Sequence, residues 1–157
     1  MKKLNLAKSQ SGFTLIELLV VIGILAILLA ITLIAINPNK HFQDTRNAKR
    51  SSDVAAILDS IYEYQSANSG TLPVSVQGAI ATPTLIGTGS GEINLCDVVP
   101  TYLADIPLDP NGTKSGATAC AGGADTYESH YQIVKTGVRF TVSAPDAEGG
   151  ASISVTR

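Results

Sequence analysis

The chain has 157 residues, a length suited to one domain of ordinary size, and its formal net charge is −2. This mildly acidic balance lacks the basic surplus that is typical of nucleic-acid-binding domains. The absence of tryptophan and the presence of 14 glycines favour a small domain with long loops over an enzyme with a dense core.

A short basic segment opens the chain, and a long apolar run follows it. Residues 1–12 contain Lys2, Lys3 and Lys8 and no acid, which is typical of a segment that stays in the cytoplasm. From Leu18 to Ile36, nineteen residues carry no charge, close to the roughly 20 that span a bilayer as a helix. The run is longer than the apolar core of a secretory signal, and no A-x-A cleavage site accompanies it. We therefore predict a membrane-spanning helix.

Glu17 is the one acid within this apolar segment. A carboxylate toward the end of a spanning helix costs about 1–3 kcal/mol unless it is paired, and the sequence shows no obvious partner in the same chain. The position of Glu17 therefore indicates a function.

The lysine-rich leader, Gly12, the sequence Phe13-Thr14-Leu15-Ile16-Glu17 and the apolar helix resemble the class III signal of type IV pilins and type II secretion pseudopilins. The resemblance implies that a prepilin peptidase cuts after Gly12, methylates the new amine of Phe13 and leaves Glu17 for assembly. In a filament, the Phe13 ammonium of a neighbouring subunit would neutralise Glu17 and set the axial register. A plain membrane anchor with a tolerated, snorkelling acid is the alternative.

The resemblance also implies three segments: a cleaved leader at 1–12, a transmembrane and assembly helix at 13–36, and an extracytoplasmic pilin head at 39–157. The partners would be other pilin subunits, the prepilin peptidase and the membrane platform that assembles a pilus or secretion system. The subunit would wait in the cytoplasmic membrane as a single-pass protein and then join an extracellular or periplasmic filament. Cleavage leaves eight Lys and Arg against thirteen Asp and Glu, a net charge near −5.

A second helix should follow the apolar run. Pro38 cannot donate its amide within a helix, so we expect a break there, with Asn37 as a cap and Pro38 at the first position of the renewed helix. Apolar residues at three- and four-residue steps predict an amphipathic helix at 39–69, with Gly70 as a left-handed cap. These residues are Val54, Ile57, Leu58, Ile61, Tyr64 and Ala67. The two segments would form one long bent helix.

The first half of this second helix is basic, since it contains Lys40, Arg46, Lys49 and Arg50. One interpretation is a solvated face with intrahelical pairs such as Lys49 with Asp53. The other is contact with phosphate, either of lipid headgroups or of DNA.

The last third of the chain alternates between apolar and polar residues, which predicts a three-stranded antiparallel sheet. We expect its apolar face to pack on the second helix, in an α+β arrangement that resembles the pilin fold. A short strand is expected near 84–86, and a short helix or turn at 95–103. The positions expected on this face are Tyr127, Ser129, Tyr131 and Ile133 on the first strand, Val138, Phe140, Val142 and Ala144 on the second, and Ile153 and Val155 on the third.

Cys96 and Cys120 are the only cysteines. In an exported domain an even pair implies one disulfide, and two reduced thiols are the alternative. Their spacing excludes a C-x-x-C redox or zinc site.

Catalytic motifs are missing from the sequence. His41 and His130 have no triad spacing, and the glycines at 87–91 lack the lysine of a phosphate-binding loop. We therefore expect no enzyme activity and no cofactor.

Two groupings resemble metal ligands without a strong pattern. Asp105, Asp109 and Asn111 offer oxygens for calcium, although ordinary turn chemistry explains them equally. Glu128, His130 and Gln132 share one strand face, which is the pattern of a solvated side. We expect no metal site at either.

Two functional classes remain. The first is a structural subunit of a type IV pilus-like filament, with a type II secretion pseudopilin as its variant. The second is a membrane-anchored binding domain that never polymerises. Glu17 separates these classes, since a plain anchor gains nothing from it.

Overall fold

The computed structural model describes residues 12–115, Cys120 and residues 126–157. Two compact units divide the chain, one ending at Asn39 and the other beginning at Lys40. The leader residues before Gly12 lie outside the described residues.

The first unit consists of helix α1, Leu15–Ile36. None of its side chains is buried, and it is long and apolar enough to cross a membrane. Twenty-two residues at 1.5 Å each give about 33 Å, which matches a hydrocarbon layer of about 30 Å. The predicted membrane-spanning segment is therefore helical.

The predicted break is present. Helix α1 ends at Ile36, Asn37 adopts a left-handed backbone with φ of 44°, and helix α2 spans Pro38–Ala67. Pro38 takes the first helical position, as predicted, because that position needs no amide donor. Asn37 closes α1 in the left-handed conformation that asparagine tolerates.

Helix α2 is followed by two residues with positive φ. Ser69, with φ of 55°, takes the left-handed cap position that was predicted for Gly70, and Gly70 follows it. Gly70 has φ of 88°, and its amide donates to the Gln65 carbonyl at 2.8 Å. A side chain with a Cβ atom disfavours this backbone, which explains the glycine.

The second unit packs α2 on an antiparallel sheet, so the predicted α+β class is confirmed. The strand count differs, because the sheet has five strands among the described residues and not three. Its order is β1-β3-β4-β5, and β2 also pairs with β3. The strands are β1 Thr84–Gly87, β2 Thr113–Ser115, β3 Thr126–Thr136, β4 Arg139–Ala144 and β5 Ile153–Thr156.

The two additional strands are short, with four residues in β1 and three in β2. The short strand expected near 84–86 is β1, whereas no strand was predicted at the position of β2. Three residues are too few to show alternation, so only pairing with β3 reveals that β2 is a strand.

The predicted inner face of the sheet is confirmed on β3 and β4, with one exception. Tyr127, Ser129, Tyr131 and Ile133 are buried in alternation, and so are Phe140, Val142 and Ala144. Val138 was expected on the same face but is 87% exposed. It lies in the tight turn between β3 and β4, next to Gly137 with φ of 63°, and so points away from the sheet.

The core forms where this face meets the second half of α2. Val54, Ile57, Leu58 and Ile61 are fully buried against it, as their spacing predicted. Tyr64 is half-buried, with its ring edge-on to Tyr102, and Ala67 is exposed.

A disulfide joins Cys96 to Cys120 across a sequence separation of 24 residues. Cys96 begins a short 3₁₀ turn, Cys96–Val98, where the sequence predicted a short helix or turn. The bridge closes the segment that contains Asp109 and β2.

Candidate functional site: the start of helix α1

Thr14 and Glu17 cap the start of α1 through reciprocal hydrogen bonds. Thr14 is the N-cap residue, and its hydroxyl accepts a hydrogen bond from the Glu17 amide at 3.3 Å. In return, the Thr14 amide and hydroxyl donate to Glu17 Oε2 at 2.9 and 2.7 Å. This capping box satisfies two amides that would otherwise lack a partner at the helix start.

Thr14 is thus the partner of Glu17 within the chain, and the sequence analysis missed it. The signal was present, because Thr14 and Glu17 stand at the T-x-x-E spacing of a capping box. We interpreted Glu17 only as an acid in an apolar run and did not consider that it caps the helix. A carboxylate already bonded to a hydroxyl and an amide costs less to place near lipid than a bare one.

Gly12 and Phe13 precede the helix and are exposed. Phe13 is 88% exposed, and no atom approaches within 4 Å of the place where a Cβ on Gly12 would lie. The peptide bond between them therefore lies in open, non-helical backbone.

The rest of α1 offers no second site of this kind. Glu17 is its only ionisable residue, and the Thr32 hydroxyl donates to the Leu29 carbonyl of its own helix at 2.9 Å. The chemistry of the helix is therefore concentrated in its first turn.

The basic residues of α2 lie in two environments. Lys40 is exposed and pairs with Asp44 on the same helix at 3.2 Å, as the solvated-face interpretation predicted. Arg50 is fully buried, and Arg46 and Lys49 are partly covered. Lys49 pairs with Asp53, as proposed, and also donates to the Leu108 carbonyl at 2.7 Å. Arg46, Lys49 and Arg50 therefore contact the loops of the head, and the solvated-face hypothesis is wrong for Arg50.

We call Arg46, Asn47, Arg50, Asp109 and Glu148 the Arg50 cluster. Arg50 donates to both carboxylate oxygens of Asp109, with Nη2 to Oδ1 at 3.0 Å, and its Nη1 reaches Glu148 Oε2 at 3.3 Å. Arg46 forms a two-pronged pair with Glu148 at 2.6 and 2.9 Å. The cluster satisfies its charges internally, as burial requires.

The carboxyl groups of the cluster have depressed pKa values. Burial raises the pKa of Asp109, but the hydrogen bonds from Arg50 and the Asn111 amide, with the charge of Arg50, outweigh burial and leave this pKa below its usual value. The pKa of Glu148 is lowered by its hydrogen bonds to Arg46 and Arg50. Both groups are therefore held in the charged form.

The structure shows what the side chains of the two possible metal-ligand groupings contact. Asp109 uses both oxygens on Arg50 and accepts the Asn111 amide, so the calcium grouping loses its central ligand. On the strand, His130 Nδ1 lies 2.7 Å from Asp146, and its Nε2 lies 3.8 Å from Glu128. His130 also adopts a left-handed backbone with φ of 63°, which the alternating pattern did not indicate.

No curated protein and no solved structure matches the chain. Residues 7–33 match the family model described as the prokaryotic N-terminal methylation motif, and this match includes Gly12, Phe13, Thr14 and Glu17. The chain thus carries the class III signal of type IV pilins and pseudopilins, which indicates prepilin-type processing and points to a structural protein.

Proposed function

We propose that this protein is a structural subunit of a type IV pilus-like filament. A prepilin peptidase cuts the chain after Gly12 and methylates the amine of Phe13, and the mature subunit polymerises through α1. The methylation motif at residues 7–33, with Glu17 as the only charge in α1, is the observation that carries this proposal.

The open backbone at Gly12 and Phe13 supports cleavage there. A peptidase needs an extended, accessible peptide bond, and both residues are exposed and outside the helix. Cutting after Gly12 removes the basic leader and retains Thr14, so the capping box survives processing.

The apolar surface of α1 supports polymerisation. The helix leaves lipid only for an equally apolar environment, which a bundle of identical helices provides. In that bundle the Phe13 ammonium of a neighbouring subunit neutralises Glu17. The mature chain then depends on a membrane assembly platform to move from the cytoplasmic membrane into the filament.

A pseudopilin of a type II secretion system uses the same processing and the same kind of helix, and is the variant of this proposal. A membrane-anchored domain that never polymerises is the competing function. Filaments on the cell surface identify a pilus, whereas short periplasmic filaments needed for protein secretion identify a pseudopilus.

The test replaces Glu17 by alanine in the native cell, with no wild-type subunit present. We expect normal membrane insertion, cleavage at Gly12 and monomer level, but few or no filaments by electron microscopy. An unpaired buried partner costs about 3–5 kcal/mol, and the loss recurs at every subunit.

Thr32→Ala is the matched control, because Thr32 is the other polar side chain in α1 and bonds only to its own helix. Its filament yield should equal that of the wild type. Mass spectrometry should find methylated Phe13 at the mature N-terminus. Assembled filaments that retain Met1, or a full yield from Glu17→Ala, would contradict the proposal and favour the plain anchor.

A further inference from the structure

Arg50 contacts two loops that are far apart in the chain. Its guanidinium binds Asp109, in the segment that precedes β2, and Glu148, in the turn between β4 and β5. Arg50 and Asp109 are 0% and 2% exposed, so the pair has almost no access to water. One buried side chain therefore holds both loops against the same helix.

Each loop has one backbone amide that donates to a side chain of the cluster. The Asn111 amide donates to Asp109 Oδ1 at 2.9 Å. The Glu148 amide donates to Asn47 Oδ1 at 3.0 Å, while Asn47 Nδ2 donates to the Glu148 carbonyl at 2.8 Å. If Asn47 and Glu148 separate, the Glu148 amide loses its partner, whereas the bond from the Asn111 amide to Asp109 lies within its own loop.

The remaining part of the head is held differently. The second half of α2 and the inner faces of β3 and β4 are joined by apolar contacts, with Ile57, Ile61, Ile133 and Val142 fully buried. Arg46, Asn47 and Arg50 lie on the first half of α2, ahead of this apolar stripe. The head thus has an apolar part and a polar part along a single helix.

We propose that the Arg50 cluster couples the two loops into one unit that opens and closes together, separately from the apolar core. When Asp109 leaves Arg50, the buried guanidinium keeps only the contacts of Nη1, to Asn47 Oδ1 at 3.1 Å and to Glu148 Oε2 at 3.3 Å, and the second loop is weakened. When Glu148 leaves, Arg50 becomes more exposed to water and its bond to Asp109 weakens. Regions with few apolar contacts open more readily than the core, and shared charge networks make such opening cooperative. This device concerns the head alone and holds whether or not the protein polymerises.

Hydrogen exchange measured by mass spectrometry on the full chain in detergent micelles tests the coupling. Peptides covering 109–112 and 147–151 report the two loops, and peptides covering β3 and β4 report the core. Glu148→Gln removes the charge from one loop without touching the other directly. We expect faster exchange at 147–151 by about tenfold, as for a lost charged hydrogen bond. The decisive result is a second increase at 109–112, by at least about twofold, with the core unchanged.

Asp109→Asn should produce the reciprocal effect, with a large increase at 109–112 and a smaller one at 147–151. Arg157→Gln is the control, because it breaks the exposed pair with Asp59 on the second half of α2. It should change neither loop.

Removal of the buried charges shows whether Arg50 carries the coupling. In Arg50→Met with Asp109→Leu, apolar side chains replace the buried pair, a change that often preserves stability. Adding Glu148→Gln to this background should no longer affect 109–112. If Glu148→Gln accelerates only its own loop in the wild-type background, or if the cross-effect persists without Arg50, the proposal is overturned.

Discussion

Arg50 and Asp109 are separated by 59 residues in the chain and meet as a fully buried, two-pronged ion pair. The guanidinium comes from a basic helix segment that we interpreted as a solvated face or a phosphate contact. The carboxylate comes from a segment that we interpreted as an ordinary turn or a calcium grouping. Their contact converts a charged helix face into part of the interior of the head.

Breaking this pair should destabilise the head strongly. Asp109→Asn leaves the Arg50 charge buried without its main partner, so we expect the free energy of unfolding to fall by about 3–5 kcal/mol. Urea unfolding of the full-length protein in micelles, followed by the near-ultraviolet circular dichroism of the head's tyrosines, measures this change.

Arg157→Gln provides the comparison for this experiment, since Arg157 and Asp59 form an exposed pair. The Arg157→Gln substitution should lower the free energy of unfolding by less than about 1 kcal/mol, as for other surface ion pairs. Equal costs for the two variants would show that burial does not distinguish the pairs.

The head should lose stability in acid through the same cluster. The pKa values of Asp109 and Glu148 are depressed in the folded state, so the folded head binds fewer protons there than the unfolded chain. The contribution of these two carboxylates to the free energy of unfolding is complete above their unfolded-state pKa of about 4. It is lost as the pH falls through their folded-state pKa values.

Urea midpoints measured from pH 7 to pH 3 should therefore fall steeply for the wild type below about pH 4. Asp109→Asn should start lower and fall less steeply, because one of the two titrating groups is gone. Parallel curves for the two proteins would exclude Asp109 as a source of the acid sensitivity.

Chelation should leave the head unchanged. The two oxygens of Asp109 bind Arg50 and the Asn111 amide, and Asp105 Oδ1 accepts the Ile106 amide at 2.9 Å. We expect the melting temperature in excess EDTA to equal that in excess calcium to within about 1 °C, since a calcium ion that bound only the folded state would raise the melting temperature. A rise of several degrees with calcium would restore the calcium hypothesis.

Loss of the disulfide should destabilise the head without unfolding it. Cys96 and Cys120 close a segment with a sequence separation of 24, and the chain-entropy model assigns such a loop roughly 3 kcal/mol. The Cys96→Ser, Cys120→Ser double variant should show this loss in urea unfolding under non-reducing conditions. Adding a reductant should lower the wild type to the same midpoint and leave the variant unaffected. A variant as stable as the oxidised wild type would show that the bridge contributes nothing.

Features that depend on neighbouring residues could be predicted from the order of the amino acids. The apolar run, the break before Pro38, the end of α2 near Gly70 and the buried alternation on β3 all follow from local periodicity or local backbone preference. The methylation motif belongs to the same class, because its residues are contiguous in the chain. Even the Thr14 and Glu17 pair, which we missed, is a local pattern with a three-residue spacing.

Features that join distant segments of the chain became visible only in the folded structure. Strand β2 exists only through pairing with β3, and Val138 leaves the inner face because it lies in the turn and β4 begins at Arg139, one residue later than alternation suggests. The basic stripe of α2 has the composition of a surface, and only the arrival of Asp109 and Glu148 makes burial of Arg50 possible. A sequence pattern records which groups are charged, whereas their burial depends on partners 59 and 98 residues away that the fold brings into contact.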